Sequence, residues 1–435
     1  MGVGSAVAYH RGVSSRATTS TRSDGGDTRD EQHSDGSPAA RQAATGRDLG
    51  GLRWWVTPVL VYLVVRAVGI VVLARFAMLR DTSLGTALSV WDGKWMLAIA
   101  EYGYTGVPFD LTDARGIHGA DTAFAFFPGY PYLVGLVAKL PLVTPFGAAL
   151  ALNLVLGCLA AAGAYRLGVL CTRAMTNRSP LLRENASAVR PERVGLFLVV
   201  IFAASPMAVV LNMAYTEALF CALAVWALVG VLERHWLVAG LAACAAGTVR
   251  PTAIVVIGVV MLAAMLAYRD GFRAWLAVVL SPLGYVGYLI VVWVRTGSPT
   301  GWFQIQTEGW GTRFDGGVAA FNFVNDALVD SGEVAPVATS WIMVITIVVV
   351  AVAIWARLPW PVLVYGTLVV ASIVLSSGLM MSRPRLLLPA FVLLVPLAIT
   401  LARAKAMAAV AVMVPIVVGS SWFGAHMLTV YPHAM

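Results

Sequence analysis

From Trp54 to its C-terminus the chain is a succession of long apolar segments separated by shorter polar ones. Segments of about 20 residues are long enough to cross about 30 Å of hydrocarbon as helix. Open strands cannot satisfy their backbone groups in that medium. The pattern therefore predicts an all-α polytopic membrane protein. The apolar segments fall near 56–78, 146–170, 194–211, 215–233, 252–268, 274–295, 338–356, 360–378, 385–402 and 407–428, with a shorter one near 236–249, which gives about 11 transmembrane helices.

One further stretch, Phe124 to Leu142, is apolar enough to cross, and the basic residues decide how it is read. Arg173, Arg178, Arg183, Arg190 and Arg193 crowd one loop; Arg234, the pair Arg269 and Arg273, Arg357, and Arg403 with Lys405 mark four others. Arg and Lys in short loops face the cytoplasm. All five loops lie inside only if 124–142 is interfacial or re-entrant. The long loops 79–123 and 296–337 then face outward, and the sequons at Asn177 and Asn185 face the cytoplasm, where they would not be glycosylated.

Residues 1–53 break the pattern, being Ser, Thr, Gly, Ala, Arg and Asp with almost no large apolar side chains. Such a segment cannot bury enough surface to offset its ordering entropy, and no short apolar core of a signal peptide precedes Trp54. A disordered cytoplasmic tail is expected over 1–53, followed by a transmembrane domain over 54–435 in a multi-pass protein of the cell membrane.

Composition narrows the class. Of 435 residues 59% are hydrophobic and only 12% charged, with a mean hydropathy of +0.80, whereas soluble domains carry about 25% charged residues. A soluble enzyme is excluded. The net charge of +8 is scattered loop arginine, the only lysines being Lys94, Lys139 and Lys405, which argues against a nucleic-acid partner. Cys158, Cys171, Cys221 and Cys244 all fall in apolar stretches without disulfide or zinc spacing. No GxxxxGK[ST] loop, HExxH or Cys/His cluster is present, and His118, His426 and His433 are isolated. No cofactor and no metal are expected, although Asp110, Asp113 and Asp121 keep an ion possible.

The outward loops hold the unusual polar residues. Asp92 stands between Trp91 and Trp95 and is either a functional carboxylate or the cap of an interfacial helix. Arg250 interrupts apolar sequence from Trp236 to Ala267, where a charge costs about 2.5–3.5 kcal/mol or more at a helix centre. At a helix end it would snorkel; at the Arg250-Pro251 break it would meet an anion. Arg383 and Arg385 precede a span on the face opposite to that expected of positive charge, so phosphate recognition competes with pairing to Glu217 or Glu308. Glu217 itself is either functional or a first-turn carboxylate favoured by the helix dipole.

These motifs carry a resemblance. Trp91-Asp92-Gly93-Lys94-Trp95, Ile99-Ala100, Gly103-Tyr104 and Ala125-Phe126-Phe127-Pro128-Gly129-Tyr130-Pro131 resemble the first extracytoplasmic loop of the PIG-V-like mannosyltransferases of the GT-C superfamily. Ser205-Pro206 with Tyr215-Thr216-Glu217-Ala218-Leu219-Phe220 is similar to that family's Pro and Tyr-(Ser/Thr)-Glu-x-x-Phe pattern. Arg250-Pro251-Thr252 and Arg383-Pro384-Arg385-Leu386-Leu387-Leu388-Pro389-Ala390-Phe391 resemble two later motifs, with Pro251-Thr252 in place of a Ser-Asn pair.

The resemblance implies a GT-C-like fold and transfer of a sugar, mannose in this family, from a polyprenyl-phosphate donor to a lipid or glycan acceptor on the outer face, with inversion. Asp92 is then the expected base and Glu217 its rival. Arg250, Arg383 and Arg385 are expected at the donor phosphate, and Trp91, Lys94, Tyr104, Tyr130, Tyr215 and Gln306 around the substrates. A transporter or flippase for a lipid-linked sugar, or a non-catalytic subunit of an envelope assembly complex, stands as the alternative. Absence of an internal repeat and clustering of polar residues at one face favour the enzyme.

Overall fold

The computed structural model describes residues 38–182 and 189–431. Contacts divide the chain between Gly50 and Gly51, and everything below concerns the second unit. Residues 1–37 of the expected tail, Arg183, Asn185 and His433 lie outside the described residues.

Among the described residues the secondary structure is helical, without strands; Phe314 and Ser376 form an isolated antiparallel bridge. Five helices are long and apolar enough to cross a membrane: Trp55–Leu79, Pro145–Met175, Phe272–Thr296, Val334–Trp355 and Ala406–Thr429. The pair Met380–Leu386 and Leu388–Arg403, bent by 52°, makes up to six.

Helix length therefore supports fewer spans than the expected 11 or so. The difference lies in apolar helices of 12–16 residues, such as Glu217–Leu232, Trp236–Gly247, Ala253–Leu266 and Trp360–Val374, which reach only about 18–24 Å at 1.5 Å per residue. A hydropathy count joins them to apolar residues at their ends that are not helical. The stretch 124–142 contains a 3-10 turn at Thr122–Ala125 and a helix, Gly129–Val137, of nine residues, about 14 Å long and too short to span.

Proline explains one of these early stops. The segment expected near 194–211 forms an α-helix only over Pro191–Ala203, because Pro206 has no N–H to continue it, and resumes only as a short 3-10 turn at Ala208–Asn212. Non-helical backbone at membrane depth persists only where protein satisfies it, and here three helices supply the donors. Arg66 Nη1 donates to Ala203 O at 2.9 Å and its Nε to Asn212 Oδ1 at 3.3 Å. Asn153 Nδ2 donates to the carbonyls of Met213 and Tyr215, and Ser420 Oγ to Ser205 O at 2.7 Å. The break ends at Glu217, the first residue of its helix.

The polar loops gather in two groups. Arg357 Nη1 donates to Arg178 O, Arg403 Nη1 to Leu181 O and Arg193 Nη2 to Ala404 O, so three of the basic loops meet. The long loops 79–123 and 296–337 also meet: Ala114 N donates to Gly309 O at 3.1 Å and Trp95 packs edge-on against Trp310. The helix Gly129–Val137 abuts the turn at Thr248. Gly129 N donates to Thr248 O at 2.7 Å, and a side-chain carbon at this glycine would sit 2.8 Å from that oxygen, so only glycine fits.

Candidate active site

Two carboxylates stand at helix N-termini that one arginine links, Asp92 at the wall of a cavity and Glu217 buried behind it. Asp92 opens the helix Asp92–Tyr102, entered through Trp91 at φ +51°, a backbone region unfavourable for a residue with a side chain. The turn is held from both sides: Gly93 N and Tyr215 Oη both donate to Val90 O, at 3.1 Å each. Glu217 opens the 16-residue helix after the Pro206 break. Each carboxylate thus lies where the helix dipole favours negative charge.

Arg385, on the four-residue helix Arg383–Leu386, joins them. Its Nη2 is 2.5 Å from Asp92 Oδ2 and its Nη1 3.7 Å from Glu217 Oε1. Arg250 Nη1 approaches the same Glu217 oxygen at 3.4 Å. The order Asp92, Arg385, Glu217, Arg250 alternates in sign and sums to zero, which is what permits burial: both arginines are 7% exposed and Glu217 0%. Aromatic faces complete the solvation, Tyr215 under Arg385 at 5.1 Å and Phe220 under Arg250 at 5.4 Å. Neither Glu217 oxygen has a hydrogen-bond partner, so the two guanidiniums are what compensates its buried charge.

The cavity above this row has a volume of about 660 Å³, within the usual range for small-molecule sites of about 300–1,000 Å³. Asp92, Tyr215, Arg250, Gln306, Arg383 and Arg385 line it, against an aromatic wall of Phe126, Phe127, Trp302 and Trp310. Asp92 is the more accessible carboxylate, its side chain 28% exposed.

Arg383 is occupied otherwise. It donates to Ile373 O at 2.5 Å, Ser376 Oγ at 3.0 Å, Ser376 O at 2.7 Å and Ser377 O at 2.8 Å. Its guanidinium braces the turn that follows the helix Trp360–Val374 and has little capacity left for a ligand.

Other expected substrate contacts serve the scaffold or lie apart. Gln306 Nε2 donates to Ala125 O at 2.9 Å at the cavity wall, and Tyr104 Oη to Phe126 O at 2.7 Å behind it. Tyr130 is fully buried, Lys94 is exposed, and neither they nor Trp91 nor Tyr104 lines the cavity. Arg313 lines it without having been expected there. Its signal was available, because it is an arginine in a loop assigned to the face that disfavours positive charge, as are Arg383 and Arg385.

Two acidic residues of the first long loop are paired individually. Asp121 pairs with Arg295 at 3.0 Å and Asp113 with Arg115 at 2.9 Å. Burial works against the charge of Asp113, but N–H donors of Ile117 and Arg115 and the Arg115 guanidinium outweigh it and hold the carboxyl below its usual range. Among the described residues no group of three His, Cys, Asp or Glu side chains could hold a metal ion.

Residues 72–274 match the family model for mannosyltransferase of the PIG-V type. This stretch, a little under half of the chain, is similar to the PIG-V-type mannosyltransferases. The match contains Asp92, Glu217 and Arg250 but stops short of Arg313, Arg383 and Arg385. No curated protein matches the chain. Among solved structures, ArnT from Cupriavidus metallidurans bound to undecaprenyl phosphate is similar at 14% identity and a TM-score of 0.46, over 84% of this chain and 75% of that one.

Proposed function

We propose that the chain transfers mannose from a polyprenyl-phosphate donor to a lipid or glycan acceptor at the extracytoplasmic face of the membrane, in a GT-C-type arrangement, with inversion. The observation that carries this is the row Asp92, Arg385, Glu217, Arg250, with Asp92 accessible at the cavity edge and both arginines lining the same cavity.

An acceptor hydroxyl oxygen attacks the anomeric carbon while the bond from that carbon to the donor phosphate oxygen breaks. The hydroxyl proton passes to Asp92, and the electron pair leaves with the phosphate. Arg385 holds Asp92 through Oδ2, which orients the carboxylate toward the acceptor hydroxyl. Arg250 and Arg385 each direct one terminal nitrogen at Glu217 and retain further N–H groups for the departing phosphate, whose charge grows as the bond breaks. Glu217 is a positioning residue that sets the spacing of the two guanidiniums. The prenyl chain leaves the cavity along the apolar side chains of Ile254, Phe303 and Leu379, which line it and are partly open to the surroundings.

The outward orientation rests on the basic loops, three of which meet one another and none of which lines the cavity. In membrane vesicles supplied with decaprenyl-phosphate mannose, wild-type protein transfers mannose to endogenous or synthetic lipid acceptors, and Asp92→Asn does not. For orientation, a membrane-impermeant maleimide applied from outside labels Asp110→Cys and leaves Arg183→Cys unlabelled; the reverse labelling overturns the assigned face.

A further inference from the structure

Four arginines line the cavity, and three have their charge met within the protein. Arg250 and Arg385 share Glu217 and Asp92, and Arg383 is surrounded by carbonyls. The fourth, Arg313, sits at the exposed rim and has neither an ion pair nor a side-chain hydrogen bond among the described residues; only the longer-range charge of Asp315 acts on it, and its N–H donors are open.

Its backbone, by contrast, is fixed on both sides. Arg313 N donates to Ser377 Oγ at 3.2 Å and Ser377 N to Arg313 O at 2.8 Å. Ser377 Oγ also donates to Gly311 O at 2.7 Å, Asp315 N donates to Leu375 O at 3.1 Å, and Phe314 bridges Ser376 between them. Gly378, at φ +106°, lets the two segments of this rim close up, since a side-chain carbon there would lie 3.0 Å from Thr312 Oγ1. The carbonyls of Ser376 and Ser377 are the ones that Arg383 braces, so a buried arginine stiffens the element that displays an unpaired one.

Phe314, the neighbour of Arg313, lines the same cavity and is 78% exposed. A rigid rim that pairs a guanidinium with open N–H donors and an exposed aromatic ring matches a ligand with an anionic head and an apolar tail. The guanidinium offers paired N–H donors to phosphate oxygens, and the ring covers the first part of the chain.

We propose that Arg313 receives the phosphate of a lipid at the cavity mouth, with Phe314 against the adjoining hydrocarbon, and so selects lipid-borne phosphates for the site. The inference rests on the proposed transferase reading for its purpose but not for its test. The lipid is the polyprenyl-phosphate substrate or an anionic phospholipid headgroup, and the two are separable.

The test is direct binding to purified protein in neutral detergent, read from the fluorescence of the cavity tryptophans. Decaprenyl phosphate, uncharged decaprenol and phosphatidylglycerol are titrated into wild type, Arg313→Gln and Arg313→Lys. Decaprenyl phosphate is expected to bind wild type at least tenfold more tightly than decaprenol. Arg313→Gln loses that preference roughly tenfold while decaprenol binding stays, and Arg313→Lys recovers part of it. Loss confined to phosphatidylglycerol, with decaprenyl phosphate failing to bind wild type, assigns the phosphate to a headgroup and refutes the proposed donor class instead. Equal binding of both phosphate lipids by wild type and Arg313→Gln overturns the inference and leaves the transferase proposal standing. Should Arg313→Gln be poorly folded, unchanged phosphate preference in the milder Arg313→Lys together with Arg313→Met overturns it equally.

Discussion

Asp92 and Arg385 meet at 2.5 Å, one from the helix that opens the first long loop and the other from a four-residue helix close to the C-terminal spans. The contact ties the accessible carboxylate of the cavity to a guanidinium that is otherwise buried, and through it to Glu217 and Arg250.

If Asp92 takes the acceptor proton, Asp92→Asn keeps the size and the helix start but removes the base. Turnover is expected to fall by about a hundred- to ten-thousand-fold, the usual range of general-base contributions, while donor binding and membrane insertion are retained. Steady-state transfer kinetics alongside a donor-binding titration check this; turnover near wild type would pass the role to another group.

Glu217→Gln removes the negative charge between two buried guanidiniums. Breaking a buried pair in this way costs about 3–5 kcal/mol, so a lower midpoint of thermal unfolding and a lower folded yield are expected. Glu217→Gln combined with Arg250→Gln should be less destabilised than the sum of the two single changes, because the second removes the charge that the first leaves unmet. Additive losses would show that the pair does not interact.

Arg383→Lys retains the charge but not the fork that reaches Ile373, Ser376 and Ser377 together. Faster hydrogen exchange is expected in 311–315 and 375–378, with the helix Pro145–Met175 unaffected. Unchanged protection in those two segments would mean that the bridge between them needs no brace.

Asp113 gives a pH dependence with a definite sign. Its carboxyl titrates lower in the folded protein than its usual value of about 3.9, so the stability it contributes is complete above that value. It is lost as pH falls through the lowered folded value. Exchange of the Arg115 and Ile117 amides, which donate to Asp113 at 2.8 and 3.0 Å, should rise in that acidic window. In Asp113→Asn it should be raised at all pH values and lose the acid transition.

Much of this site was legible in the sequence for physical reasons. Asp92 stood between two tryptophans, and Arg250 was a charge in apolar surroundings that demanded a partner; both lie in the cavity. Arg383 and Arg385 are two residues apart with a proline between them, and sequence gives no sign which would face a carboxylate and which a set of carbonyls. That depends on the direction of side chains around a four-residue helix. Tyr104 and Tyr130 sit within well-matched motifs, but their rings pack behind the cavity wall. The overestimate of spans has a similar origin: apolar composition persists through Ser205-Pro206 and Val249-Arg250-Pro251, where the helices have already ended.

The Pro206 break also bears on how the protein is made. Its carbonyls are met by Arg66 and Asn153, which precede it in the chain, and by Ser420, which follows it by two hundred residues or so. Arg385, the link between the two carboxylates, likewise emerges late. During synthesis the segment carrying Glu217 enters the membrane with one carbonyl and one charge still waiting for partners. The row of charges can settle only after the helix Ala406–Thr429 is in place, so a ribosome-released fragment lacking that helix should insert its earlier helices and still fail to assemble the row from Asp92 to Arg250.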